Sequence, residues 1–94
     1  MQQTWRVTKQ AARDYLSINN LSDDERLMSF AIDAIVESAQ GARFIKRQRN
    51  GLERWRTRAP GRLYLVVKNH EHRLDVIRVM PEYRCERERH ATTR

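Results

Sequence analysis

The apolar residues of this chain change their spacing at Gly41. Before it they recur at helical intervals, as in Ala12, Tyr15 and Leu16; after it they alternate with polar residues, as in Leu63, Leu65 and Val67. A helix buries a stripe and a strand buries a face, so the change divides the chain into a helical first part and a sheet-forming second part. The 94 residues suffice for one core. The expected fold is α+β, with two N-terminal helices packed on one face of a small antiparallel β-sheet. One domain should span residues 1–85, followed by a flexible basic tail, 86–94, that lacks apolar periodicity.

Thr4 to Thr8 reads as a short strand with Trp5 and Val7 on one side and Arg6 on the other. Thr8 then caps a helix from Lys9 to about Ser17. Ser22 and Glu25 have the spacing of a capping box, opening a second helix that runs to about Ala39. Its buried face is expected to carry Leu27, Phe30, Ala31, Ala34 and Ile35, with Gly41 as a left-handed stop. Strands are expected over Arg43–Arg47, Leu52–Arg58, Arg62–Lys68 and Leu74–Met80. The turns between them are Asn50-Gly51, Pro60-Gly61 and a polar hairpin over Asn69–Arg73. One register places Trp55, Leu63, Leu65, Val67, Ile77 and Val79 under the helices. It places Arg54, Arg56, Arg62, Tyr64 and Arg78 on the opposite face. Glu53 then points to the helix side and pairs with an arginine.

The net charge of +7 is unevenly spread. From Ser22 to Gln40, Asp23, Asp24, Glu25, Asp33 and Glu37 face only Arg26. From Arg43 to Arg62, Arg43, Lys46, Arg47, Arg49, Arg54, Arg56, Arg58 and Arg62 face only Glu53. Arginine dominates the basic run, and its planar fork matches phosphate oxygens. A polyanion, RNA above all, is the expected partner. Arg54, Arg58, Tyr64, Arg78 and Lys46 are the candidate nucleic-acid-binding residues.

Cys85 has no second cysteine to pair with, no leader is evident and no apolar run reaches membrane-spanning length, so a reducing, cytoplasmic location without membrane contact is expected. His70-Glu71-His72 sits at the expected hairpin tip without carboxylate or cysteine partners of metal-site spacing, so no metal is expected. Walker loops, dinucleotide fingerprints and hydrolase triads are not evident, and no cofactor is implied.

The order strand, helix, helix, then three or four antiparallel strands resembles the RelE/ParE superfamily of toxins from bacterial toxin–antitoxin pairs. Trp5-Arg6-Val7-Thr8-Lys9-Gln10-Ala11-Ala12-Arg13-Asp14-Tyr15-Leu16 is similar to that family's first strand and helix. The segment from Leu52 to Tyr64 resembles its basic strand, tight turn and following strand, and Leu74–Val79 with Tyr83-Arg84 its last strand and trailing arginine. The RelE-like branch implies a ribosome-dependent mRNA endoribonuclease silenced by an acidic antitoxin protein. The ParE-like branch implies a gyrase inhibitor. On the RelE pattern, Arg54 and Arg56 fall where basic residues contact the RNA and the scissile phosphate. Arg62 falls on the strand arginine if one residue is missing after Gly61, and Arg84 near the late arginine. Tyr83 or His90 lies near, but not in register with, the C-terminal tyrosine or histidine. The resemblance thus gives Arg56, Arg62, Arg84 and Tyr83 as catalytic candidates.

Two departures bear on chemistry. The pattern's lysines are arginines here, whose very high pKa suits them to neutralise a phosphorane and not to accept a proton. The terminal tyrosine is missing, and the chain continues past its place. Metal-free RNA cleavage needs a base for the 2′-hydroxyl and an acid for the 5′-oxygen. The groups available for those roles are Glu53, Tyr64, Tyr83, His70, His72 and His90. A non-catalytic inhibitor, either a ParE-like gyrase inhibitor or a small phage protein that binds nucleic acid or a host protein, is the alternative.

Overall fold

The computed structural model describes residues 4–58 and 62–81. Its elements are β1 (Thr4–Val7), α1 (Lys9–Ile18), α2 (Glu25–Gln40), β2 (Arg43–Arg47), β3 (Glu53–Arg56), β4 (Leu63–His70) and β5 (Arg73–Pro81). Helices precede the sheet meander, as the change of period at Gly41 requires. The five strands form one sheet in the order β1-β5-β4-β3-β2. β2 to β5 pair antiparallel, whereas β1 pairs parallel to β5, so the sheet is mixed where an antiparallel one was expected. The parallel pairing sets Trp5 beside Leu74 and Val7 beside Val76. It extends the apolar face by one strand and gives the β1 backbone groups their partners.

Both helices start on oxygen caps. Thr8 Oγ1 accepts from the Ala11 N–H at 3.2 Å and donates to the Ile77 carbonyl at 3.3 Å, so one hydroxyl caps α1 and ties it to β5. Asp24, not Ser22, caps α2: its carboxylate accepts from the Arg26 N–H at 2.9 Å and from the Arg26 guanidinium at 3.0 Å. A charged acceptor with an arginine two residues on outcompetes the expected hydroxyl. Those bonds, the side-chain one foremost, hold the Asp24 carboxyl below its ordinary value. Gly41 is not left-handed (φ −101°): the Ala42 N–H closes on the Ala39 carbonyl at 3.0 Å and the chain runs straight into β2. Asn20 (φ 57°), after α1, and Gly51 (φ 85°), in the β2–β3 turn, are the left-handed residues among those described.

Ala11, Ile35 and Ala39 lie against Leu63, Leu65, Val67, Leu74, Val76 and Val79 in the main core, while Ala12, Leu16 and Ala31 join the two helices. Two expectations fail here. Phe30 is 53% exposed: the buried stripe of α2 is the narrow Ala31–Ile35–Ala39 line, and Phe30 falls beside it, edge-on to Tyr15 at 6.3 Å. In β5 the pairing passes from Arg78↔Val66 to Val76↔Val67, so Ile77 has no opposite residue. This bulge shifts the alternation by one: Val76 is fully buried and Ile77 only half so. Trp55 does face the helix side, but half-buried, at the margin of the core.

The Asp14 carboxylate of α1 fastens the far end of β5, accepting from the Val79 N–H at 3.0 Å and from Arg78 Nε at 2.8 Å. No helix among the described residues is long and apolar enough to cross a membrane. The bulge makes a direct prediction. Val76→Ala should cost about 2 kcal/mol of unfolding free energy, from the two methyl groups removed and the cavity they leave. Ile77→Ala should cost clearly less despite removing a larger side chain. Urea denaturation of both variants checks it, and a larger loss of stability at Ile77 would contradict the bulged register.

Candidate nucleic-acid interface

Cross-strand partners share a face, so the register maps the sheet surface turned away from the helices. One row across it is Arg43, Arg56, Tyr64 and Met80; the next is Lys46, Arg54, Val66 and Arg78. Closer to the β4–β5 turn lie Arg6, Asp75 and Lys68. Of the two carboxylates in the described strands, Glu53 faces the helices and Asp75 this side. The expected arginine face is therefore present, and it is wider than expected: Arg43, Arg6 and Lys68 join it.

Four arginines converge at the end of this face. Arg43, Arg56, Arg58 and Arg62, with Ala42 and Thr57, line a cleft of about 390 Å³ between the α2–β2 junction and the β3–β4 loop. Thr57 sets their spacing. Its side chain is buried, its N–H donates to the Leu63 carbonyl at 2.9 Å and its Oγ1 accepts from the Leu63 N–H at 2.9 Å. This pair of bonds closes the base of the loop and brings Arg56 and Arg58 to the same cleft as Arg62. Counting back across the Asn50-Gly51 turn would set Phe44 opposite Arg56; an irregularity between Phe44 and Lys46 shifts the register by one and brings Arg43 there instead, which the sequence does not show.

The other candidates are placed differently. Arg54 is half-buried, with its guanidinium 5.9 Å from the Tyr64 ring centroid, and its Nε is buried without a hydrogen-bond partner. That cation–π contact orients the charge without neutralising it. Tyr64 itself is only 6% exposed, so its ring serves Arg54 and is not offered to a base in this conformation. Arg78 turns to the sheet margin and gives two hydrogen bonds to Asp14, at 2.8 and 3.3 Å, so its charge is already matched. Lys46 is exposed beside Arg54. Tyr83, Arg84 and His90, like the tail from 86 to 94, lie outside the described residues.

Of the proton-transfer candidates among the described residues, Tyr64 lies against Arg54, whereas Glu53, His70 and His72 stand away from the arginine cleft. Glu53 is 3% exposed on the helix side, where Trp55 Nε1 donates to it at 3.0 Å, Asn69 Nδ2 at 3.0 Å and Arg47 at 3.3 Å. Burial, the largest single influence, works to raise its carboxyl. The bonds from Asn69, Trp55 and Arg47, with the Arg47 charge, outweigh that and leave it below its ordinary value. His70 Nε2 lies 3.2 Å from Asp75 Oδ2, and His72 pairs loosely with Glu71 at 3.9 Å. Asp75 Oδ1 and Arg73 Nε are 2.9 Å apart in an ion contact, but their alignment is not that of a hydrogen bond. His70 stands six residues along β4 from Tyr64, roughly 20 Å at strand rise, too far to serve a phosphate in the arginine cleft. Among the described residues no group of three or more His, Cys, Asp or Glu is placed to hold a metal ion.

Comparison with protein-family models, with curated proteins and with solved structures finds no match to this chain.

Three outcomes follow from this geometry. Replacing Arg54, Arg56 and Arg62 together with Ala should weaken binding of single-stranded RNA and lower the slope of log affinity against log salt by about 2, near 0.7 for each phosphate no longer neutralised; an unchanged slope in a salt titration would contradict it. Thr57→Val leaves the buried Leu63 N–H without its acceptor and should cost about 1–3 kcal/mol on denaturant unfolding, with RNA binding weakened as the arginines lose their spacing. Glu53→Gln should be destabilised by a similar 1–3 kcal/mol at neutral pH. A depressed carboxyl contributes stability above its unfolded pKa of about 4.3 and loses it as pH falls through the lower folded value. The gap between Glu53→Gln and the wild type should therefore narrow in acid, as pH-dependent thermal melts would show.

Proposed function

We propose that this protein is the toxin of a toxin–antitoxin pair, an RNA-directed endoribonuclease of the RelE type that acts on mRNA at the ribosome. The observation that carries this reading is the convergence of Arg43, Arg56, Arg58 and Arg62 on one cleft, continuous with the row of Arg54 and Lys46. Arginines so arranged can hold successive phosphates of an extended strand. They can also stabilise the extra negative charge that develops when the 2′-oxygen attacks the phosphorus. In this reading Arg56 and Arg62 neutralise the phosphate in flight. Arg84 adds to them, and proton transfer falls to Tyr83, since the arginines cannot accept a proton. The resemblance of the Leu52–Tyr64 and Leu74–Arg84 segments to the RelE pattern supports the assignment, and the acidic partner it implies would cover the same arginines.

A second reading is favoured by one observation: Glu53 is buried and committed on the wrong face, and Tyr64 is covered by Arg54. A face rich in cations and poor in proton acceptors suits an inhibitor that binds without cutting, of nucleic acid or of a nucleic-acid enzyme such as gyrase. Expression in growing cells with mapping of mRNA 5′ ends separates the two. The toxin reading expects growth arrest, cuts at fixed positions within codons, and loss of both in Arg56→Ala/Arg62→Ala. Arrest without cuts would favour the inhibitor, and harmless expression of the wild type would overturn the toxin.

A further inference from the structure

We propose that the cleft lined by Trp5 and Trp55 is a nucleobase site, filled by an unpaired base of the strand whose phosphate lies in the arginine cleft; this rests on reading that cleft as an RNA site. The second cleft, about 550 Å³, lies on the helix side of the sheet and is lined by Trp5, Trp55, Val36, Gln40, Thr4 and Ala42. Its volume falls in the range of about 300–1,000 Å³ usual for small-ligand sites. Ala42 lines both clefts. Trp55 and Arg56 are neighbours in β3, and successive strand side chains point to opposite faces. One turn of backbone, Gly41 and Ala42, is thus all that separates a cluster of guanidinium groups from a pair of indoles.

The two tryptophans are suited to a planar guest. Their rings meet edge to face, 5.3 Å apart at 87°, so neither is covered by a parallel ring. Both are half-buried, although a chain with so few large apolar residues would gain most by burying them fully. Phe44, 46% exposed, continues the series edge-on to Trp55 at 5.8 Å and sits between Arg43 and the cations Lys46 and Arg47. At the rim, the Gln40 amide and the Thr4 hydroxyl supply donors and acceptors for a base edge. Aromatic faces interleaved with a cationic track for the backbone are what a single strand requires, because stacking needs an unpaired base. A base inside a duplex could not reach the cleft, so the ligand is single-stranded, and the reading of the arginine cleft makes it RNA. An acidic peptide could also meet the adjoining arginines, so the ring geometry, which suits a planar guest, decides for the nucleotide.

Trp5 and Trp55 are the two tryptophans of the chain, so intrinsic fluorescence reads the cleft directly. The probes are a short single-stranded oligoribonucleotide and an abasic backbone of equal length. The oligoribonucleotide should quench the fluorescence and bind roughly 5- to 100-fold more tightly than the abasic strand, the range expected for one stacked base. Gln40→Phe, at an exposed position in the last turn of α2, should fill the cleft and reduce the affinity for RNA to that for the abasic strand, leaving abasic binding unchanged. Equal affinity for the two probes, dependent on Arg56 and Arg62 but without quenching, would overturn the base site and leave the arginine cleft standing. Binding of neither probe would overturn both. Quenching by a tryptophan-free apolar peptide but not by RNA would assign the cleft to a protein partner and overturn the nucleotide reading.

Discussion

β4 has a strand on each side and a helical layer over one face, and that position admits a single arrangement of its side chains. Leu63, Leu65 and Val67 must go under the helices; slipping by one residue would expose all three and bury Lys68. Once β4 is set, β3 follows through Trp55↔Leu65 and Arg56↔Tyr64, and β2 through Phe44↔Trp55 and Arg43↔Arg56. The meeting of four arginines at one end of the sheet is therefore a by-product of core burial in β4, at most two strands away. Like charges do not gather by themselves, and the mutual repulsion of the guanidinium groups works against the arrangement. The apolar side of β4 holds the cations in place.

Part of this was legible in the sequence and part was not, for identifiable reasons. Alternation in Glu53–Arg56 and Leu63–Val67 is strict, so the two faces and the inward turn of Glu53 could be read directly. The Asn50-Gly51 turn was equally plain, because Gly51 adopts the positive φ that its residue type favours. The bulge at Ile77 was hidden, since Val76, Ile77 and Val79 are all apolar and composition does not say which of them steps out of line. The parallel partner of β1 was hidden as well: pairing between the two ends of a chain leaves no local pattern. Phe30 misled because helical period identifies a stripe but not its width, and the small residues of α2 made that stripe narrow. At the site, Arg54, Arg56, Arg58 and Arg62 were visible as a run. The capture of Arg78 by Asp14 depends on two residues far apart in sequence and could be seen only in three dimensions.

Glu53 shows how a single buried charge serves a basic protein. Its carboxylate accepts from three side chains on three different strands: Arg47 of β2, Trp55 of β3 and Asn69 of β4. It closes the outer wing of the sheet, where the helices do not reach, and it orients the indole of Trp55 from within. An apolar residue there could fill the space but could not fix the angle of that ring. The cation density of the opposite face thus has a counterweight across the thickness of the sheet, in addition to Asp75 and Asp14 beside it.

β2 is the outer strand of that wing, exposed along its whole length, with Phe44 and Ile45 uncovered. An edge strand of such composition is ordinarily a template for sheet growth, and proteins guard such strands with charge. Here Arg43, Lys46 and Arg47 provide the guard: a second copy aligned antiparallel about Ile45 would set Arg43 against Arg47 at both ends. On the proposed function, Arg43 and Lys46 also face the polyanion, so the charge that guards this edge is partly the charge that would attract the ligand. A substitution that removes the charge of this strand would then alter both the guard on the edge and the attraction for the proposed ligand at once.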